Sequence, residues 1–367
     1  MDQARSYRPE NIRNIVLLGH TGAGKTTLAE AIAHRCGVIT RMGSVEQANT
    51  ISDFEPEARL HKHSTNSVLM YATHQGHQIN LIDTPGYPDF VGQALAAMPA
   101  VETAVIVINA QSGIEFNSRR LYHAAGEMGL ARMIVINKID QAADLPTLVE
   151  QVRAGFGPEA HCINLPCKNG ADVVDCFDQD AGRADFGNVA AIHREMVEST
   201  VEIDDAQLEH YLAGQPIDLA ELRSCFIRAM NVGHVVPIVF TAARQEVGVD
   251  DLLHILIEDV PSPLTGRPKR LRRIHANGSA PEEIIECAAD PDAPLLAHVF
   301  KVTTDPYVGK LAMLRVISGK LESNTAFVCG TQKKIHKAGR DAAQLAIILR
   351  NLGQRSRSPD NCDGRRR

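Results

Sequence analysis

The segment Gly19-His20-Thr21-Gly22-Ala23-Gly24-Lys25-Thr26 fits G-x-x-x-x-G-K-[ST], a spacing suited to phosphate chemistry. Its glycines let backbone N–H groups turn inward and cradle phosphate oxygens. A helix starting at the end of the segment adds the favourable end of its dipole. Lys25 is expected to neutralise the β- and γ-phosphates. Thr26 is expected to ligate Mg²⁺ through its hydroxyl, with Thr27 beside it in the site. A chance glycine-rich turn is the bland alternative, and a strand before and a helix after the segment argue against it.

ATP- and GTP-using proteins share that pattern. Asn137-Lys138-Ile139-Asp140 separates them. A carboxylate at Asp140 can accept hydrogen bonds from N1 and N2 of guanine, and adenine presents no such donor pair. Asn137 is expected to brace the site and Lys138 to lie along the base. Asp83-Thr84-Pro85-Gly86 completes the set: Asp83 would hold Mg²⁺ through a water, and the Gly86 N–H would sense the γ-phosphate. Thr241-Ala242-Ala243 would place backbone N–H groups near the guanine oxygen, a weak signal by itself. The loop that closes on the γ-phosphate falls between Val38 and Ser67, with Ser64 and Thr65 as candidates for the Mg²⁺ hydroxyl. The neighbouring His61, Lys62 and His63 read as solvated surface, with phosphate contact as the sharper alternative.

These motifs need strand ends to hold them. Ile15–Leu18, Ile79–Ile82, Ala104–Asn109, Met133–Ile136 and Val235–Phe240 are short, β-branched and mostly apolar, as in strands buried on both faces. Helical stretches alternate with them at Thr26–His34, Gly92–Met98, Asn117–Met128 and Leu145–Ala154. The fold class is therefore α/β with a mostly parallel sheet. The polar motifs follow the strands, where open α/β sheets bind ligands. The gap of about a hundred residues before the fifth strand far exceeds the some 30 of one crossover. An insert with helices at Val189–Tyr211 and Leu219–Met230 is predicted there. Beyond Pro261, Pro263 and Pro268, the stretches Leu295–Thr303, Leu311–Ser318 and Thr325–Cys329 read as strands of an all-β domain.

These residues carry a resemblance to the translation factor GTPases, and among them to elongation factor G and the elongation factor G-like proteins. It rests on GHTGAGKTT, LIDTPGYPDFVG, VINKID and DPYVGKLAMLRVISGKL and covers about residues 12 to 334. It implies a P-loop GTPase domain (1–262) with a helical insert (164–235) like the family's G′ subdomain. A linker (263–290) and part of a β-barrel (291–334) would follow. It also implies GTP/GDP and Mg²⁺ as ligands and the ribosome as partner. Three departures stand out. The family's catalytic His after DTPG is Tyr87 here, which offers a hydrogen bond but no cation, so the catalytic set would be Lys25, Gly86 and Tyr87. The family's RGIT is HKHST here, so Ser64 or Thr65 replaces the metal-ligating Thr. The family also continues through a complete barrel and further domains, whereas residues 335–367 turn irregular and basic. A frameshifted or prematurely ended frame is the expectation for that tail, and a basic arm that touches RNA is the alternative.

Composition sets outer limits. The net charge is −6, aromatics make up 4% and tryptophan is absent. Neither a bulk electrostatic grip on nucleic acid nor base stacking is implied, and sequence-specific DNA is not an expected partner. The eight cysteines form no C-x-x-C pair and read as reduced structural thiols. The polar N-terminus is no secretory signal, and no apolar run reaches the roughly 18 residues of a membrane span. A cytoplasmic protein without a membrane partner is expected. Three functions remain open: a slow or ribosome-dependent GTPase, a GTP-dependent binding switch without significant catalysis, and a non-functional remnant.

Overall fold

The computed structural model describes residues 7–52, 64–273, 283–305, 309–322, 325–329 and 335–337. The tail beyond 337 and the run His61–His63 lie outside them. Strand β1 (Ile12–Leu18) leads through the glycine-rich turn into α1 (Lys25–Arg35), and β2 (Val68–His74) and β3 (His77–Asp83) form a hairpin. Then come α2 (Val91–Ala97), β4 (Thr103–Asn109), α3 (Phe116–Glu127), β5 (Ala131–Asn137), α4 (Leu145–Phe156) and β6 (Ala160–Cys162). A hairpin β7 (Asn164–Cys167) and β8 (Asp172–Asp175) is followed by α5 (Val189–Val201), α6 (Asp205–Leu212) and α7 (Leu219–Val232). Strand β9 (Val236–Thr241) and α8 (Val249–Glu258) complete this part.

Seven strands form one sheet in the order β2-β3-β1-β4-β5-β9-β6. Every pairing is parallel except that of β2 with β3. The five apolar runs occupy the centre, and the reason is visible in their alternation. Ile15, Leu17, Val105, Val107, Met133 and Val135 pack on one face, beneath α1, α5, α7 and α8. Val16, Leu18, Ile106, Ile108, Ile134 and Ile136 pack on the other, beneath α2, α3 and α4. Successive side chains point to opposite faces, so a strand covered on both sides is apolar at most positions. The fold is thus a mostly parallel, P-loop GTPase-like α/β sheet.

The insert is less helical than its sequence suggests. It also contains the β7–β8 hairpin, and just before it β6 forms the far edge of the sheet. The expected helix at Val189–Tyr211 is broken: Asp204 accepts from the N–H groups of Ala206 and Gln207 and so starts α6 as a separate helix.

After α8 the pairings are antiparallel. Strand β10 (Lys269–Arg273) pairs with β11 (Glu283–Cys287), inside the stretch read as a linker. Strands β12 (Leu296–Asp305) and β13 (Gly309–Ser318) form the long ladder expected of a partial barrel. The short β14 (Ala326–Val328) pairs with β15 (Ile335–Lys337), which lies where the sequence texture turns irregular. A buried ion pair docks this part under the sheet: Arg315 Nη2 donates to Glu102 Oε1 at 2.7 Å, and Nη1 to the Ala100 carbonyl at 2.7 Å. Glu102 also accepts from Asn14, which in turn accepts from Asn80. Among the described residues no helix is long and apolar enough to cross a membrane, and the described cysteines are free thiols.

Candidate functional site

A cavity of about 430 Å³ opens where β1, β3, β5 and β9 end. Gly19, Gly22 and Gly24 all have positive φ, a conformation open to glycine. A Cβ on Gly24 would lie 2.4 Å from Asn137 Nδ2, and one on Gly19 would lie 2.3 Å from the Val107 carbonyl oxygen. The turn is therefore held tightly against two strand ends. His20 packs outward, with Nε2 3.5 Å from Glu115, while Thr21 and Thr27 line the cavity.

Lys25 is buried, and its Nζ donates to the carbonyls of Gly19 and His20 at 3.0 and 2.8 Å. Burial lowers its pKa to about 8, against the opposing pull of Asp83 and Glu115. An anion placed at Nζ would restore the proton. Affinity for a phosphate ligand is therefore expected to fall by up to about 10-fold per pH unit above about 8, with proton uptake on binding. Calorimetry in buffers of different ionisation heat reads both quantities, and a flat affinity across that range would contradict it. The same shift makes the unliganded fold gain stability as pH rises from about 8 towards 10.5, because the unfolded chain holds more protons there.

Thr26 Oγ1 donates to Asp83 Oδ2 at 2.7 Å and lies 3.3 Å from Ser64 Oγ. The three candidate metal-binding residues thus meet, and Ser64 rather than Thr65 is the hydroxyl brought to Thr26. Their oxygens are hard ligands of the type that Mg²⁺ takes. Thr84 turns away and donates to the Leu17 carbonyl, bracing the loop through Pro85. Gly86 lies directly over Lys25: a Cβ there would be 2.5 Å from Nζ. Tyr87 is 37% exposed and lines the cavity.

At the other end Asn137 ties the walls together. Its Nδ2 donates to the Ala23 carbonyl, and its Oδ1 accepts from Ala243 N and Thr241 Oγ1. Lys138, at φ 64°, runs back to donate from Nζ to the Gly22 carbonyl at 2.8 Å. Asp140 faces the cavity and accepts from Gln245 Nε2 at 2.9 Å. The N–H groups of Ala242 and Ala243 are engaged by the Val247 carbonyl and Asn137, and Arg244, the next residue, lines the cavity.

Two residues at the site carried no sequence signal. Asn117 Nδ2 donates to the Gly86 carbonyl at 2.7 Å from the start of α3, and Gln245 touches Asp140. Each contact joins segments distant in sequence, so no local pattern marks it. Away from the cavity, Asp175, Asp178 and His254 also converge. Arg223 Nη2 sits 2.7 Å from Asp178 and 3.2 Å from His254, so that cluster is already served by a guanidinium.

Residues 10–262 match the family described as the elongation factor Tu GTP binding domain, and residues 294–343 match elongation factor G domain 2. An elongation factor G-like protein of Mycobacterium tuberculosis is 29% identical over 374 residues, which cover 95% of this chain and 51% of the relative. Elongation factor G of Ureaplasma parvum is 28% identical over 348 residues, covering 89% of this chain and 50% of the relative. A crystal structure of a Thermus thermophilus protein superposes with a TM-score of 0.73 at 32% identity, covering 86% of this chain and 47% of that one. The chain spans about half the length of the curated relatives it matches.

Proposed function

The chain belongs to the translation factor GTPases, through the elongation factor Tu GTP-binding domain family, and from that premise we propose that it binds Mg-GTP and GDP in the cavity between Lys25 and Asp140. The observation that carries this reading is the pairing of two chemistries in one cavity. Lys25, Thr26, Ser64 and Asp83 gather at one end, and Asn137, Lys138 and Asp140 at the other. In this reading Lys25 and the N–H groups of Gly19 to Thr26 take the phosphates. Thr26, Ser64 and Asp83 would hold Mg²⁺, which supplies neutralising charge at the phosphates. Asp140 reads guanine N1 and N2. The division into a GTP-binding part (1–262), a linking stretch (263–290) and a partial barrel (291–334) belongs to the same proposal, as do a cytoplasmic location and the ribosome as partner.

Hydrolysis in this proposal is slow or ribosome-dependent, with Lys25 and Gly86 at the γ-phosphate and Tyr87 at the position for water. Tyr87 also favours a second reading, in which GTP orders the surrounding loops without significant turnover. Single-turnover hydrolysis with and without ribosomes separates the two. Tyr87→His is expected to raise the rate about 10-fold or more, because an imidazole adds a general acid–base group at the water. Equal rates for wild type, Tyr87→His and Tyr87→Phe, with no ribosomal stimulation, would leave the switch as the function.

A further inference from the structure

Glu30 lies one turn beyond Thr26 on α1, on the same side of the helix. It is only 1% exposed. Carboxylates are rarely buried that completely unless they are paired. The partners here are backbone donors: Gly43 N reaches Oε2 at 2.7 Å and Ile51 N reaches Oε1 at 2.5 Å. Each oxygen therefore holds one end of a single loop.

That loop is closed on itself. Ser44 N donates to Asn49 Oδ1 at 2.7 Å, Gln47 N to the Ser44 carbonyl and Ala48 N to the Val45 carbonyl. The two ends cross closely at Gly43, where a Cβ would lie 2.5 Å from the Asn49 carbonyl oxygen and 2.7 Å from Thr50 Cα. Beyond the crossing, Thr50 and Ser52 are buried. At the tip, Val45 and Glu46 line the cavity, and Glu46 Oε2 lies 3.6 Å from Arg244 Nη1 on the opposite rim. Among the described residues both oxygens of this buried carboxylate bond to this loop, and such a group is costly to keep unless both bonds persist. Its geometry serves the loop, and the loop serves the cavity.

We propose that Glu30 is a positioning residue for the nucleotide: its carboxylate mounts the loop from Gly43 to Ile51 on the phosphate-loop helix and so holds Val45 and Glu46 as one wall of the site. This assignment rests on the reading that the cavity takes a guanine nucleotide. Because Glu30 and Thr26 share a helix face, the wall is referenced to the same rigid element as the phosphates. Loosening it should open the way out more than it hinders entry, so the effect falls on the dissociation rate.

The test is stopped-flow release of a fluorescent GDP from the full chain. Glu30→Gln keeps the shape but turns an amide donor towards one of the two N–H groups. Gly43→Ala pushes on the same crossing from the loop side. Both are expected to raise the dissociation rate about 10-fold with little change in association. Hydrogen exchange at the Gly43 and Ile51 amides should accelerate in Glu30→Gln. Arg315→Met, which weakens the fold elsewhere, should leave release unchanged, which separates positioning from general stability. Wild-type release rates in both loop variants would overturn the assignment. Should Glu30→Gln not fold, Gly43→Ala decides alone by the same criterion. Failure of the wild-type chain to bind fluorescent GDP at all would sink the guanine-nucleotide reading, and this assignment with it.

Discussion

Asp140→Asn is expected to weaken GDP and GTP binding by about 10²–10⁴-fold while admitting xanthine nucleotides. Two hydrogen bonds from guanine N1–H and N2–H to a carboxylate contribute about 1.5–3 kcal/mol each. An Asn side chain keeps one neutral acceptor and turns an NH₂ donor towards the other guanine donor. Losing one bond, weakening the second and leaving donors opposed costs about 3–5 kcal/mol, which gives that range. Xanthine carries an oxygen at C2, so the Asn NH₂ regains a partner. The rest of the motif is held independently of Asp140: Asn137 is held by Ala243 and Thr241, and Lys138 by Gly22. Competition between GDP and XDP against a fluorescent nucleotide measures the exchange. Unchanged GDP affinity would mean that Asp140 does not read the base.

The largest effect on stability is expected from Arg315→Met. Arg315 and Glu102 are both buried, 1% and 4% exposed at their side chains, and joined at 2.7 Å. Removing one partner of such a pair leaves an uncompensated charge inside, at a cost of about 3–5 kcal/mol. Burial raises the Glu102 pKa, but Arg315 and Lys269 together outweigh it and hold the carboxyl below the usual range. Lys269 itself is depressed to about 8 by burial. Arg315 is therefore the main partner of Glu102, with Lys269 a more distant one at 4.0 Å. A lowered carboxyl contributes stability above its ordinary pKa and loses it as pH falls through the lowered value. In urea melts the wild type should lose this contribution on acidification. Arg315→Met should start lower at neutral pH and lack that acid-side loss, and adding Glu102→Gln should recover part of the deficit. A neutral-pH change under about 1 kcal/mol would show the pair to be dispensable.

What the sequence disclosed follows from the range of the forces involved. The phosphate turn was legible because three glycines and Lys25 must be contiguous to do that work. The central strands were legible because burial on both faces removes polar residues from most positions. The edge strands β2 and β6 escaped for the converse reason. Strand β6 is three residues long and leaves no pattern, and in β2 the apolar run from Val68 to Ala72 is only partly buried, with Tyr71 exposed. Asn117, Gln245 and Glu30 act through partners tens of residues away or through backbone N–H groups, and neither leaves a mark in local composition. Ser64 was narrowed from two candidates only by its approach to Thr26. Arg315 read as an ordinary strand residue until Glu102 appeared beneath it.

In the proposed function this cavity selects a guanine nucleotide and holds it with Mg²⁺. Calorimetric titration of the full chain with GTP, GDP and ATP, each with Mg²⁺ and with EDTA, tests it most directly. Saturable binding of GTP and GDP at one site is expected, strengthened by Mg²⁺ and abolished by Lys25→Ala, with ATP at least about 10³-fold weaker. Equal affinity for ATP, or guanine-nucleotide binding that survives Lys25→Ala, would contradict it.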